Sequence, residues 1–172
     1  MTLNAKDRQR AITFLTSVLF LVCLGLACPG MHAQSAAPAA GPESAFSIPK
    51  AQLLQPEALH GMLQARNAEK PLVLQVGFHV LFTEAHIPGA EYAGPAAEPS
   101  GLQNLQTRVS KLPRNKLIVI YCGCCPWSHC PNIGTAFQKL RQMGFTNVKA
   151  LYLADNFGAD WVNKGFPVAR GQ

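Results

Sequence analysis

The chain of 172 residues lacks several things that common activities require. It has no Gly-rich phosphate loop, no Ser/His/Asp arrangement and no paired-acid motif, which argues against kinase and hydrolase chemistry. No internal repeat is present. Charge is sparse, with Asp, Glu, Lys and Arg making up 14% of residues. The formal charge is +6, but beyond Lys6, Arg8 and Arg10 its basic residues are scattered, with only Lys111, Arg114 and Lys116 close together. No basic stripe with interleaved aromatics appears, so nucleic-acid binding has no support. The positive balance reads as a solvated surface.

The N-terminus carries Lys6, Arg8 and Arg10, then the apolar run Ala11 to Ala27, then small and polar residues. That order is the pattern of a secretory signal peptide, 1–33, with cleavage expected after Ala33. The run is nearly long enough to span a bilayer, so an uncleaved anchor is the alternative. A lipoprotein-type cut before Cys28 is weaker, because Gly25 stands where an aliphatic residue is usual. Export places the protein in the periplasm or outside the cell, with no membrane attachment after cleavage. Without residues 1–33 the charge falls to +4, twelve basic against eight acidic residues. The cysteines fall from six to four, all between Cys122 and Cys130. Residues 34–47 are rich in Ala, Pro, Ser and Gly and read as a flexible linker.

The remaining chain, 48–172, alternates strand and helix patterns. Leu53 and Leu54 read as a short extended piece. Pro56 and Glu57 suit a helix start whose inner face is Leu59, Met62 and Leu63. Leu72 to Val76 is a strand. Residues 93–101 read as an exposed loop. Leu102, Leu105, Val109 and Leu112 recur on one helical face that Pro113 should end. Leu117 to Tyr121 is a buried strand. Ile133, Ala136, Phe137 and Leu140 mark a helix that Gly144 ends. Val148 to Leu153 is another strand, Ala159 to Asn163 a short helix, and Pro167-Val168 an extended end. This alternation predicts an α/β fold, a parallel sheet covered on both faces. The working site should lie at the carboxyl ends of its strands. Cys122 stands at the end of the expected central strand, and the helix after the loop should help to stabilise a thiolate there.

Three islands carry a family resemblance. The first is His86-Ile87-Pro88-Gly89-Ala90, with Phe82 ahead of it. The second is Val119-Ile120-Tyr121-Cys122. The third is Trp161 followed by Gly165-Phe166-Pro167-Val168. From about Ile48 to Gly171 the chain resembles a single rhodanese-like domain, a three-layer fold with a central parallel sheet flanked by helices. The resemblance implies sulfur transfer, with Cys122 holding sulfane sulfur as a persulfide and passing it to a nucleophile. A small sulfur donor and a protein thiol or other nucleophile would be its partners, with no cofactor. It also implies that His86 hydrogen-bonds within its turn. The chain departs from the family pattern at Gln75 and Gly77, where an Asp and an Arg are usual. It also has a longer cysteine loop without a basic residue, and Pro126 and Pro131 remove two N–H donors from it.

That loop, C-x-C-C-x4-C with His129 inside, admits three readings. Cys122 is a nucleophile whose persulfide Cys124, Cys125 or Cys130 resolves. Alternatively, the four cysteines with His129 form a thiol-redox or soft-metal site suited to Cu(I) or Zn. Or the cysteines only staple a long loop in an oxidising compartment. Adjacent Cys124 and Cys125 are poorly placed to bond to each other, which leaves Cys122 or Cys124 with Cys130 as the expected pairing. Trp161 reads as core, Trp127 as either a cap or a support of the site, and Glu84 and Glu91 as solvated. The domain is expected to be a monomer.

Overall fold

The structure, a computed structural model, describes residues 48–171. The expected signal segment 1–33, the linker 34–47 and Gln172 lie outside the described residues. Five strands form one parallel sheet: β1 (Leu53–Leu54), β2 (Leu72–Gln75), β3 (Glu91–Tyr92), β4 (Ile118–Tyr121) and β5 (Val148–Leu151), in the order β1-β5-β4-β2-β3. Among the described residues, four α-helices accompany them: α1 (Pro56–Gln64), α2 (His79–Glu84), α3 (Pro99–Val109) and α4 (Pro131–Gln142), and the expected short helix near the end is a single π-helical turn, Gly158–Val162. β4 is central and fully buried, as the apolar run IVIY requires of a strand covered on both sides.

Side-chain alternation along the strands builds two cores. On one face Leu74, Ile118 and Ile120 meet Leu105 and Val109 of α3 and Ile133, Ala136, Phe137 and Leu140 of α4. On the other, Val73, Val119 and Tyr121 meet Leu59 of α1, Ile87 and Trp161. Each fully buried Leu, Ile or Val contributes roughly 1.5–3 kcal/mol relative to exposure. Cys122 follows Ile118 and Ile120 in parity, so it joins the α3–α4 core. Two-residue periodicity along β4 thus decides which layer the cysteine faces.

Three sequence expectations need correction. Residues 93–101 are not an exposed loop: Ala93, Gly94, Ala96 and Gly101 are buried, and α3 already begins at Pro99. The Ala93 and Ala96 N–H groups donate to the carbonyls of Gln75 and Val76, so the segment extends the hydrogen bonding beyond β2. Pro99 at the start of α3 gives the helix its preset φ. At its other end α3 stops at Val109, ahead of Pro113, and Leu112 joins the core from the turn that follows. Met62 is 38% exposed, and only Leu59 and Leu63 of the three expected inner residues of α1 reach the core. Among the described residues, no helix is long and apolar enough to cross a membrane.

Candidate active site

β4 delivers Cys122 to the carboxyl edge of the sheet with 5% of its surface exposed. The chain then turns at Gly123, whose φ of +75° suits glycine. The Gly123 carbonyl accepts from the Phe157 N–H at 3.1 Å, and the Trp127 N–H donates to the Ala154 carbonyl at 3.0 Å. These bonds pin the cysteine loop to the segment after β5. A short 3-10 turn, Trp127–His129, leads into α4, for which Cys130 is the N-cap.

Beneath Cys122 lie two residues that depart from the family pattern. The Gln75 side chain, 2% exposed, donates from Nε2 to the Cys122 carbonyl at 3.4 Å. Its Oε1 accepts from the Gly77 N–H at 3.2 Å. A Cβ on Gly77 would come within 2.8 Å of Cys122 Sγ and 2.9 Å of Gln75 Nε2. In place of the charge pair usual in the family, a neutral amide and a bare glycine let the sulfur sit against the β2 turn. Asn132, also 2% exposed, completes the seat. Its Nδ2 donates to Cys122 Sγ at 3.4 Å and its Oδ1 accepts from the Ala97 N–H at 2.9 Å.

The thiols gather tightly. Cys122 Sγ is 3.2 Å from Cys124 Sγ, which is 3.0 Å from Cys125 Sγ. The sulfurs of Cys122, Cys124 and Cys130 all lie within 4.8 Å of one another. Hydrogen bonding to Cys130 keeps the proton on Cys122 and, with burial, pushes that thiol well above its ordinary range. Cys130 moves the other way, to about 6: the Cys122 thiol donates to its sulfur, and the Ile133 and Asn132 N–H groups outweigh the opposing effect of burial. Cys125 is pushed up to about 12, first by desolvation.

Over Cys122 and Cys124 opens a cleft of about 320 Å³, floored by these two and Gly123 and walled by Leu81, Ala85, Phe157 and Val162. Glu84 is its one charged lining residue. A second cavity, about 290 Å³, is bounded by His60, Leu63, Lys70, Pro88 and Trp161, and no cysteine lines it.

The family model described as Rhodanese-like domain matches residues 55–153. The chain belongs to the rhodanese-like domain family. The crystal structure of the Alr3790 protein from Anabaena sp. is similar, with 21% identity and a TM-score of 0.52, covering 69% of this chain and 92% of that one. The solution NMR structure of the rhodanese-like domain from the same protein gives 21% identity and a TM-score of 0.53, covering 69% and 79%. At that identity the likeness concerns the fold. No curated protein matches.

Of the three islands, Val119 to Cys122 reaches the cleft, while the HIPGA turn and the Trp161 segment line the second cavity through Pro88, Gly89, Trp161 and Pro167. His86 is buried; its Nδ1 lies 2.8 Å from the Phe82 carbonyl and its ring stacks on Phe82. It pairs in backbone hydrogen bonds with Ala169, so the HIPGA turn and the chain's last described segment hold each other. Trp161 is fully buried and donates from Nε1 to the Pro167 carbonyl at 2.9 Å. Trp127 supports the site, packing against the α3–α4 core with its ring 5.1 Å from Tyr152. Glu84 is exposed, whereas Glu91 accepts hydrogen bonds from Arg108, which hold its carboxyl below the usual range.

Several site expectations change. His129 is exposed, with Nδ1 2.9 Å from Ser128 Oγ, and is not in the group of sulfurs able to share an ion. The 3-10 turn carries its ring outward. Cys125 touches Cys124 but also lies outside that group. The four loop cysteines are all free thiols, so neither expected pairing to Cys130 is formed. The N-terminus of α4 stabilises a thiolate at Cys130, its own N-cap, rather than at Cys122. In the sequence Gln75 stands only as a departure from the family pattern, and its hydrogen bonds to Cys122 and Gly77 give it a place in the site; Asn132 was not legible as a site residue, the signal available being a polar side chain at a helix start.

Proposed function

We propose that this rhodanese-like domain is a sulfurtransferase carrying sulfane sulfur on Cys122. The observation that carries the reading is the seat of that cysteine: the end of the central strand, at the floor of an open cleft, with two further thiols within 4.8 Å. Cys122 passes its proton to the neighbouring Cys130 thiolate as its sulfur attacks the outer sulfur of a donor R–S–SH. A new S–S bond forms on Cys122, the donor's S–S bond breaks, and RS⁻ leaves. An acceptor thiolate then takes the outer sulfur as its own persulfide and restores Cys122. Without an acceptor, the thiolate of Cys124 or Cys130 attacks Cys122 Sγ instead. A disulfide forms, the persulfide bond breaks and hydrosulfide leaves; an external dithiol later reduces the disulfide and is itself oxidised.

The surroundings favour a persulfide donor, small or protein-borne, over a dianion such as thiosulfate. No Lys or Arg lines the cleft. The loop's N–H groups are largely committed: Trp127, His129 and Cys130 to carbonyls, and Cys124, Asn132 and Ile133 to thiol sulfurs. We place the protein in the periplasm or outside the cell on its N-terminal pattern, acting as a monomer without nucleic acid.

Mass spectrometry after mixing with a persulfide donor tests the reading. Addition of 32 mass units, about one sulfur, mapping to Cys122 at early times, giving way to an internal disulfide with two hydrogens lost, and both absent in Cys122→Ser, is the expected result. Sulfur uptake on other cysteines alone, or none from any donor, sinks it.

A further inference from the structure

We propose that Cys122, Cys124 and Cys130 form a trigonal, all-sulfur binding site for Cu(I). This does not rest on sulfur transfer, and the two occupancies compete for Cys122 Sγ. The three sulfurs already lie within 4.8 Å of one another. A trigonal ion with metal–sulfur bonds of about 2.3 Å requires sulfurs about 4 Å apart, so closure needs shifts of less than about 1 Å. Two of the ligands sit on rigid elements, Cys122 at the end of β4 and Cys130 at the N-cap of α4.

The groups around the sulfurs suit thiolates. The Cys124 N–H and Asn132 Nδ2 point at Cys122 Sγ, and the Asn132 and Ile133 N–H groups point at Cys130 Sγ. Such donors disperse ligand charge and orient the ligand atoms, as outer-shell partners of metal sites do. No basic side chain lines the cleft to balance three thiolates. Three sulfurs this close ionise together only around a cation. Sulfur transfer with a resolving step uses two thiols, so the third is surplus to it.

The donor set selects the ion. Soft thiolates favour Cu(I) or Zn over hard cations. Structural zinc takes four ligands, and neither exposed His129 nor Cys125 belongs to the group. Three sulfurs without a fourth protein ligand fit Cu(I). Binding forms three Cu–S bonds and releases whatever protons the thiols hold.

The test titrates the reduced, metal-free full chain with Cu(I) anaerobically against a chromogenic Cu(I) chelator. The expected result is one ion per chain, with Cu-edge absorption showing about three sulfur neighbours near 2.3 Å. Cys124→Ser and Cys130→Ser should each weaken binding by at least the 10–100-fold, roughly, that loss of an outer-shell partner costs, and Cys125→Ser should not. Should the variants misfold, the wild-type chain still decides: bound Cu(I) must shield Cys122, Cys124 and Cys130 from alkylation and leave Cys125 reactive. Nitrogen or oxygen neighbours at the metal, equal shielding of all four cysteines, or preference for Zn over Cu(I) overturns the proposal. A Cys122 persulfide formed normally in a chain that ignores Cu(I) would reject the metal site and leave sulfur transfer standing.

Discussion

Asn132 ties Cys122 to the segment at Ala97, 35 residues before Asn132 itself: one end of its amide donates to the sulfur at 3.4 Å while the other accepts from the Ala97 N–H at 2.9 Å. The two roles separate by substitution. Asn132→Asp keeps an acceptor for Ala97 but removes the donor and sets a carboxylate beside the sulfur. Its thermal stability should stay near that of the wild type while persulfide formation slows by about tenfold or more, about 1.4 kcal/mol of lost interaction. Asn132→Ala leaves the Ala97 N–H without its partner and should also lose about 1–3 kcal/mol of stability. Denaturant unfolding and the rate of sulfur uptake separate these outcomes. Equal uptake by Asn132→Asp and wild type would remove Asn132 from the site.

The glycines give a paired prediction. Gly77→Ala drives a methyl toward Cys122 Sγ and Gln75 Nε2, both nearer than 3.0 Å. Overpacking should cost about 1–3 kcal/mol, and displacing the sulfur should slow uptake on the order of 100-fold. Gly61 lies exposed in α1, where an added methyl meets nothing within 4 Å. Gly61→Ala should therefore stabilise the fold by about 0.5–1 kcal/mol without touching uptake. Melting curves and uptake rates of the two variants, measured together, check both.

Much of this geometry was readable in the chain itself. The apolar run Leu117 to Tyr121 reads as a strand buried on both faces, and with the alternation of strands and helices around it places Cys122 at the sheet's central edge, where β4 ends. Trp161 and His86 were legible because their motifs bring their own partners, Pro167 and Phe82, within a few residues. What stayed hidden depends on distant contacts. α2 has six residues with one of them buried, too short for a helical period to show. β3 is two residues long and exists through its pairing with β2. Residues 93–98 look like turn material until the carbonyls beyond β2 capture their N–H groups. His129 was counted among the thiols because it stands between them in the chain, and spacing alone did not reveal the turn that carries it outward.

Cys130 should be the first cysteine to react in the reduced, metal-free protein. Its thiolate persists down to about pH 6, so its alkylation rate should rise through that value and level off above it. The sign for stability follows. A thiol whose folded value is depressed stabilises the fold fully above its unfolded range, near pH 8.5, and that contribution fades as pH falls through 6. Peptide mapping after brief alkylation at several pH values reads the midpoint. Cys122 labelled ahead of Cys130 at neutral pH would contradict the division of charge between them.

Glu84 should govern which donors the cleft accepts. Its carboxylate is the one charged group lining the cleft above Cys122, so a dianion entering there meets repulsion and no counter-charge. Coulomb repulsion between unit charges several ångströms apart in water is somewhat under about 1 kcal/mol. Glu84→Lys reverses the sign against both charges of thiosulfate, which after screening should raise the apparent second-order rate with that donor by about tenfold. The rate with an uncharged persulfide donor should hardly move, since the substitution leaves the sulfurs and their hydrogen bonds untouched. Ionic strength supplies the internal control. Salt should speed thiosulfate turnover by the wild-type chain, slow it in Glu84→Lys, and leave the neutral donor unaffected in both. A wild-type chain that already turns over thiosulfate as fast as neutral donors, with no response to salt, would show that charge at Glu84 plays no part in selection.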